Sequence, residues 1–309
     1  MRTILLDKRD VVVANIREAV RRGDLNAKVE PDDPDLTPDE KRAICESFVD
    51  QYPTWRFRCR RRLARSIINV VTRMVNRNTK FVGLENIKGI SGGAIVTSNH
   101  FSPIDNTVVR LAMHKAGKWR LPIVCQESNL AMPALFGFMM RYADTLPISA
   151  DRHYMRNHFK PILEDELARG NYVLIYPEQE MWFNYRKPRP CKRGAYYYAA
   201  RFNVPIISCF VEIVDKDDLQ SPDFVEVSYV MHVLDPIYPD PALSVRENSV
   251  AMCKRDYAQK CQAYERIYGK PVDYRFSPDD VAGWIPPQEP HGSDATGDDM
   301  RVSAQLTSA

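Results

Sequence analysis

No stretch of this chain reaches the ~18 consecutive apolar residues that a membrane-spanning helix needs. The longest candidate, Asn129–Met140, is shorter and is interrupted by Pro133 and Gly137. The N-terminus offers only Ile4-Leu5-Leu6 before charges begin, too little for a signal-peptide core. Cysteine is sparse: there are seven, scattered, with no CxxC pair. That argues against a disulfide framework or a structural zinc site and fits a reducing compartment. The common site motifs are missing as well. Without GxGxxG, GxxxxGK(S/T), GxSxG or HExxH, dinucleotide binding, P-loop chemistry, elbow-type serine hydrolysis and zinc proteolysis lose their sequence support. No internal repeat or long low-complexity tract is present.

What is there is a 309-residue chain with 44% hydrophobic and 27% charged residues, ordinary for a soluble globular protein. Its net charge of +3 hides a strong asymmetry. Residues 51–84 carry nine Arg or Lys and no acid, whereas residues 276–309 carry six acids and one Arg. The basic segment, 51–80, reads as an amphipathic helix. Leu63, Ile67, Val70, Val71, Met74 and Val75 recur at helical spacing with Arg between them, behind an aromatic lead-in of Trp55 and Phe57. This is the pattern of a helix lying on a membrane surface, with Trp55, Phe57, Arg58, Arg60, Arg61 and Arg62 as its contacts. A core-packed helix with a solvated Arg face and a nucleic-acid-binding helix are the competing readings. The lack of stacking motifs argues against nucleic acid. An anionic membrane surface is the expected partner, and the cytoplasmic face of a membrane, peripherally bound, the expected location.

Residues 1–50 read as a helical leader. Asp7–Arg22 is helix-like, and Thr37-Pro38-Asp39-Glu40 has the capping-box signature of a second helix. Residues 81–240 alternate strand and helix. Ala94–Ser98, Pro122–Gln126, Tyr172–Tyr176 and Val204–Cys209 are short apolar runs suited to buried strands. Val225–Val233 alternates at period two. Helix-like spans lie near 104–115, 133–142, 154–169 and 194–202, and 248–268 reads as a closing helix. The order predicts an α/β fold, a mixed sheet flanked by helices, with an N-terminal helical extension. Residues 276–309, rich in Pro, Gly, Asp and Ser, read as a disordered acidic tail.

The chemistry concentrates in Ser98–Asp105, SNHFSPID, which follows a strand and opens a helix. On a continuous helix His100 and Asp105 would sit ~140° apart and not meet. A break solves this: Ser102 as N-cap, Pro103 at N1 and Asp105 at N3 would leave His100 in the turn, within reach of the carboxylate. A His oriented by a carboxylate is a general base toward a hydroxyl. Ser102 and Asp105 also make an ordinary capping box, and the composition supplies about half an H-x4-D pair by chance. The position at a strand–turn–helix junction is what raises the pair. A second feature is Tyr176–Ala195, where Arg186, Lys187, Arg189, Lys192 and Arg193 put five positive charges in eight residues. Such a loop can clamp a phosphate or be merely solvated. A third is Ser149–Arg152, where Arg152 can hold an anion or Asp151 can cap a helix. Trp182, Phe183 and Tyr185 can line a pocket or pack in the core.

In their order these blocks resemble those of the glycerolipid (lysophosphatidate-type) acyltransferase family. Gly83–Ile87 with Ala94–Ser98 looks like the lead-in to its first block, and Asn99–Asp105 matches its N-H-x4-D. Leu146–Arg152 looks like the second, Tyr176–Gln179 like the third (usually Phe-Pro-Glu-Gly-Thr-Arg), and Lys192–Ala195 with Val204–Ile207 like the rest. The resemblance implies an acyltransferase domain over 81–275. It implies transfer of a fatty acyl group from acyl-CoA or acyl-carrier protein to a lysophospholipid hydroxyl, with no metal or other cofactor. His100 would be the base and Asp105 its support, and Asn99, Arg152, Glu178, Arg186, Lys187, Arg189, Lys192 and Arg193 would bind substrate. The third block departs from the pattern. Gln179-Glu180-Met181 replaces Gly-Thr-Arg, so a thioether stands where the family puts a guanidinium for the acceptor phosphate. Either the basic loop supplies that charge, or the acceptor is another lysolipid, such as a glycolipid or aminolipid. A catalytically inactive membrane-binding module is the reading from a different class.

Overall fold

The structure is a computed structural model that describes residues 8–31 and 34–287. The core is one seven-stranded sheet in the order β1-β7-β6-β2-β5-β3-β4. The strands are β1 (Lys80–Val82), β2 (Ala94–Thr97), β3 (Ile123–Gln126), β4 (Thr145–Ile148), β5 (Tyr172–Leu174), β6 (Ile206–Ser221) and β7 (Phe224–Val233). All neighbours are parallel except the β6–β7 hairpin. The helices are α1 (Arg9–Arg22), α2 (Pro38–Gln51), α3 (Trp55–Val75), α4 (Asn106–Lys115), α5 (Ala134–Tyr142), α6 (Arg152–Tyr154), α7 (Lys160–Ala168), α8 (Gly194–Phe202) and α9 (Val245–Tyr268), with a π-turn at Met155–Phe159 between α6 and α7. The mixed α/β architecture is the one the alternation of elements predicts.

The central strands are apolar on both sides because helices cover both sides. Val96, Leu174 and Ile207 pack with Val108, Val109 and Ala112 of α4. Their neighbours Ile95, Val173 and Ile206 pack on the opposite face with Leu163 of α7 and with Tyr196 and Ala199 of α8. Two strand features escape the sequence. β4 contains Pro147, which a strand tolerates at a sheet edge, where β4 lies. β6 runs on to Ser221 through Asp215, Lys216, Asp217 and Asp218, whose charges sit on an exposed hairpin. Gly83, at φ +76°, turns the chain out of β1, where a Cβ would stand 2.1 Å from the Val233 carbonyl oxygen.

The N-terminal helices are built as expected, with a capping box between Thr37 and Glu40 at the start of α2. The leader is not separate, however. Val12, Val13, Ile16 and Val20 of α1 form a core with Trp182, Tyr185, Phe224 and Val281. The tail needs the same correction. Residues 276–287 are described and pack on the domain, with Asp280, Val281 and Ala282 buried; the expected disorder beyond them lies outside the described residues.

α3 is amphipathic twice over. Ala64 and Thr72 face the domain, yet Trp55, Leu63, Val70 and Met74 are 65%, 56%, 54% and 69% exposed. At 100° per residue those four lie within an arc of about 100° on the outer side. The contact residues expected from sequence therefore divide. Trp55, Arg58, Arg60 and Arg62 are exposed. Phe57 is not a surface residue: it is buried, with its ring 5.9 Å from Phe48, 5.6 Å from Tyr52 and 5.2 Å from Tyr142. Arg60, though exposed, and the half-buried Arg61 also reach partners in the domain. Arg60 donates to the Tyr142 hydroxyl at 3.0 Å, and Arg61 lies 3.8 Å from the buried Asp144 carboxylate. Apolar periodicity alone could not tell an inward aromatic from an outward one two residues away. No described helix is long and apolar enough to cross a membrane.

Candidate active site

β2 delivers the chain to the C-terminal edge of the parallel strands, where crevices form in such sheets. The backbone ladder between β2 and β6 ends at Thr97 and Ser208. Asn99 then substitutes for a strand residue. Its Nδ2 donates to the Val211 carbonyl at 3.0 Å, and its Oδ1 accepts the Val211 N–H at 2.8 Å. Both ends of its amide are used and the side chain is buried, so Asn99 shapes the turn.

The turn places His100 outside the helix, so it meets Asp105. The local register differs from that expected: α4 begins at Asn106, Asp105 is its N-cap residue and not N3, and 103–105 is a turn. Asp105 Oδ2 lies 2.7 Å from His100 Nδ1 and accepts the N–H groups of Phe101 at 2.9 Å and Ser102 at 3.2 Å. The ionised carboxylate requires Nδ1 to carry the proton, which leaves Nε2 with its lone pair. The His100 side chain is 21% exposed while Asp105 is only 2% exposed. The imidazole is reachable and the carboxylate that orients it is enclosed.

Tyr176, at the end of the β5 segment, completes this group and was singled out by sequence only as part of its block. Its ring stacks on the imidazole, with centroids 4.0 Å apart and planes 14° apart. Its hydroxyl donates to Asp105 Oδ1 at 2.6 Å. Burial, reinforced by the Asp105 charge, pushes that hydroxyl well above the usual tyrosine range, so it remains a donor.

Glu178 lies beneath and is buried. Its Oε2 accepts the His100 backbone N–H at 3.2 Å and Arg189 Nη2 at 3.0 Å, and its Oε1 accepts the Arg189 backbone N–H at 2.9 Å. Arg189 is equally enclosed and also donates to the carbonyls of Glu180 and Leu25. The leader holds this loop from outside. Asn26 Nδ2 donates to the carbonyls of Glu178 at 3.1 Å and Pro190 at 3.0 Å, and Trp182 Nε1 donates to the Ala27 carbonyl at 2.8 Å. No motif marks Asn26; only the fold brings it here.

The basic loop is mostly consumed internally. Lys187 pairs with Asp280 at 2.9 Å and Asp273 at 3.1 Å, and Arg186 with Asp215 at 2.6 Å. These two, like Arg189 with Glu178, are held in ion pairs within the protein. Lys192 and Arg193 are exposed, and the Lys192 N–H bonds the Pro177 carbonyl at 2.7 Å, which keeps it beside the Tyr176–Glu178 turn. Arg152 is exposed at the start of α6, where Asp151 caps the helix through the N–H groups of His153 and Tyr154. β4 is three strands from β2, so Arg152 starts about 14 Å away from the His100 strand at ~4.8 Å per strand. Trp182 and Tyr185 are buried packing residues, not pocket lining.

The model of the Acyltransferase family matches residues 78–212, which contain the His100 turn, Tyr176 and Glu178. No curated protein matches the chain. Among solved structures it is similar to the crystal structure of the 1-acyl-sn-glycerophosphate (LPA) acyltransferase PlsC from Thermotoga maritima, at 15% identity and a TM-score of 0.47 over 76% of this chain and 99% of that one. Over residues 78–212 the chain is therefore similar to the Acyltransferase family.

Proposed function

We propose that the protein moves a fatty acyl group from a thioester, acyl-CoA or acyl-carrier protein, to a hydroxyl of a lysophospholipid at a bilayer surface. The observation that carries this reading is the reachable His100 Nε2 set against an enclosed Asp105. Nε2 takes the acceptor's hydroxyl proton as its oxygen attacks the thioester carbonyl. The tetrahedral intermediate collapses with loss of the thiolate, and the imidazolium returns the proton to the leaving sulfur. Asp105 stabilises the transient positive charge. An acyl-enzyme on cysteine is disfavoured. Cys209, the thiol near Tyr176, is buried, which pushes it up to about 12 and keeps it unionised.

A second reading of the acceptor has its own observation. Met181 replaces the family's phosphate-binding Arg, and Arg186, Lys187 and Arg189 are spent on internal acids. That favours a lysolipid whose headgroup is not a phosphate monoester. Purified protein incubated with acyl-CoA and a panel of lysolipids, read by mass spectrometry, is expected to yield acylated products. Turnover of glycolipid or aminolipid acceptors at or above that of lysophosphatidate supports the second reading. Preference for lysophosphatidate, with a raised KM in Lys192→Ala/Arg193→Ala, supports the first. No acylated product from any acceptor overturns both in favour of a membrane-binding module.

The proposed bilayer contact is the outer arc of α3, with Trp55, Leu63, Val70 and Met74 as the buried wedge and Arg58 and Arg62 over the headgroups. Peripheral attachment at the cytoplasmic face fits this arc. Each basic residue near an anionic surface is worth ~1 kcal/mol, so Arg58→Ala/Arg62→Ala is expected to weaken binding to anionic vesicles roughly thirtyfold. Trp55→Ala/Met74→Ala removes apolar burial and acts on neutral vesicles as well. Co-sedimentation unchanged in both variants rejects α3 as the contact.

A further inference from the structure

Proton abstraction needs a base and a carboxylate to orient it, but here a third side chain touches both. Tyr176 lies flat on the His100 imidazole and bonds Asp105 Oδ1, the one carboxylate oxygen that His100 does not use. The third block of the resembled family usually has phenylalanine at this place. The stacking surface is then common to both, and the hydroxyl belongs to this chain. We propose that Tyr176 is a positioning residue of the dyad: its ring fixes the plane of His100, and its hydroxyl holds Asp105 and tempers its charge, which sets the pH range over which the base works. The inference rests on the acyltransferase reading.

Asp105 accepts four hydrogen bonds, three at Oδ2 and the one from Tyr176 at Oδ1. Removing the hydroxyl leaves Oδ1 of a carboxylate that is only 2% exposed without that donor. A buried acceptor left unpaired is unfavourable. The carboxylate can escape by rotating, which misaligns His100, or by concentrating its charge on the imidazole. The sign of the second effect is definite. A donor bonded to a carboxylate disperses its negative charge, so losing it strengthens the attraction for a protonated imidazole. The base then stays protonated to higher pH.

The other charged or titratable groups facing this cluster remain in place when only the hydroxyl is lost. Tyr229, on β7, is held up to about 12 by burial and by Asp105. Arg110, on α4, acts on Tyr176 electrostatically, as does Cys209 of β6. Glu178, neutralised by Arg189, lies under the His100 backbone N–H. Arg9, of α1, acts on Tyr229.

The test compares Tyr176→Phe and Tyr176→Leu with the parent. Tyr176→Phe keeps the ring and is expected to lower kcat about three- to tenfold. Both KM values should stay within twofold, and the acid limb of the kcat/KM profile should move up by roughly half a pH unit. Tyr176→Leu also loses the stacked ring and is expected to fall further in kcat. NMR of imidazole-labelled protein, with His100→Ala used to assign the resonance, supplies a readout without substrate. Tyr176→Phe should displace the His100 Nδ1 signal and its titration while other histidines hold still. Parent-like kcat, pH profile and His100 resonance in Tyr176→Phe overturn the proposal. If the parent shows no acyl transfer, the acyltransferase reading fails, yet the NMR comparison still decides what Tyr176 does to His100.

Discussion

His100→Ala is expected to reduce acyl transfer by about 10²–10⁴-fold, the range that a positioned general base supplies. The loss should fall on kcat, because the acceptor hydroxyl can still bind and only its activation is missing. The fold should survive. The imidazole is partly exposed and touches the protein mainly through Asp105 and Tyr176, and the turn itself is held by main-chain bonds from Phe101, Ser102 and His100 to Asp105 and Glu178. Melting within a few degrees of the parent, with activity lost, separates a chemical defect from a structural one. Added imidazole, which can enter the opening left at His100, is expected to restore part of the rate with a dependence on its neutral form. A variant as active as the parent rejects His100 as the base.

Asp105→Asn tests the same step from the other side. The amide can keep the N–H acceptances of Oδ2 through its oxygen, but it has no charge to steady an imidazolium. Its NH₂ also points a donor toward the Tyr176 hydroxyl, which now donates to Oδ1. The rate is expected to drop as for His100→Ala, and combining the two substitutions should cost little more than either alone, because the pair acts as a unit.

The dyad was legible in the sequence because a strand, a turn formed by Ser-Pro and a helix start follow each other within a few residues, and local rules govern each. The register was not. Whether Ser102 or Asp105 stands at the N-cap depends on where the Asp105 carboxylate is drawn, and it is drawn to His100 and two backbone N–H groups. Asn99 and Glu178 show the converse limit. Both lie inside recognisable blocks, yet their work is to finish a sheet ladder and to neutralise a buried Arg, which only their distant partners Val211 and Arg189 reveal. The basic loop looked like an anion clamp because five cations stood together; the acids that neutralise two of them, Asp215 and Asp280, are nearly 30 and more than 90 residues away. Asn26 carries no sequence signal at all, since its two carbonyl partners belong to a loop more than 150 residues on.

Breaking the Glu178–Arg189 pair is expected to have a large effect on stability. The two side chains are 2% and 1% exposed, and the ion pair is 3.0 Å long. Removing one member of a buried pair leaves the other charge uncompensated, at a cost of about 3–5 kcal/mol. For Glu178→Ala the stranded guanidinium keeps the carbonyls of Leu25 and Glu180 but no counter-charge, and the His100 N–H loses its acceptor as well. Tm should fall by roughly 10 °C, with activity lost. Arg189→Ala should destabilise comparably, since the Glu178 carboxylate then keeps only main-chain donors. Replacing both residues by methionine is expected to recover much of the stability, because a buried pair exchanged for apolar groups of similar volume is often neutral. It should recover little activity, because no oxygen then meets the His100 N–H. That split distinguishes two roles for one carboxylate: the charge serves the fold and the Oε2 lone pair serves the base. A Glu178→Ala variant that melts with the parent shows the pair to be dispensable to the fold, and a double methionine variant at full rate shows the bond to His100 to be dispensable to catalysis.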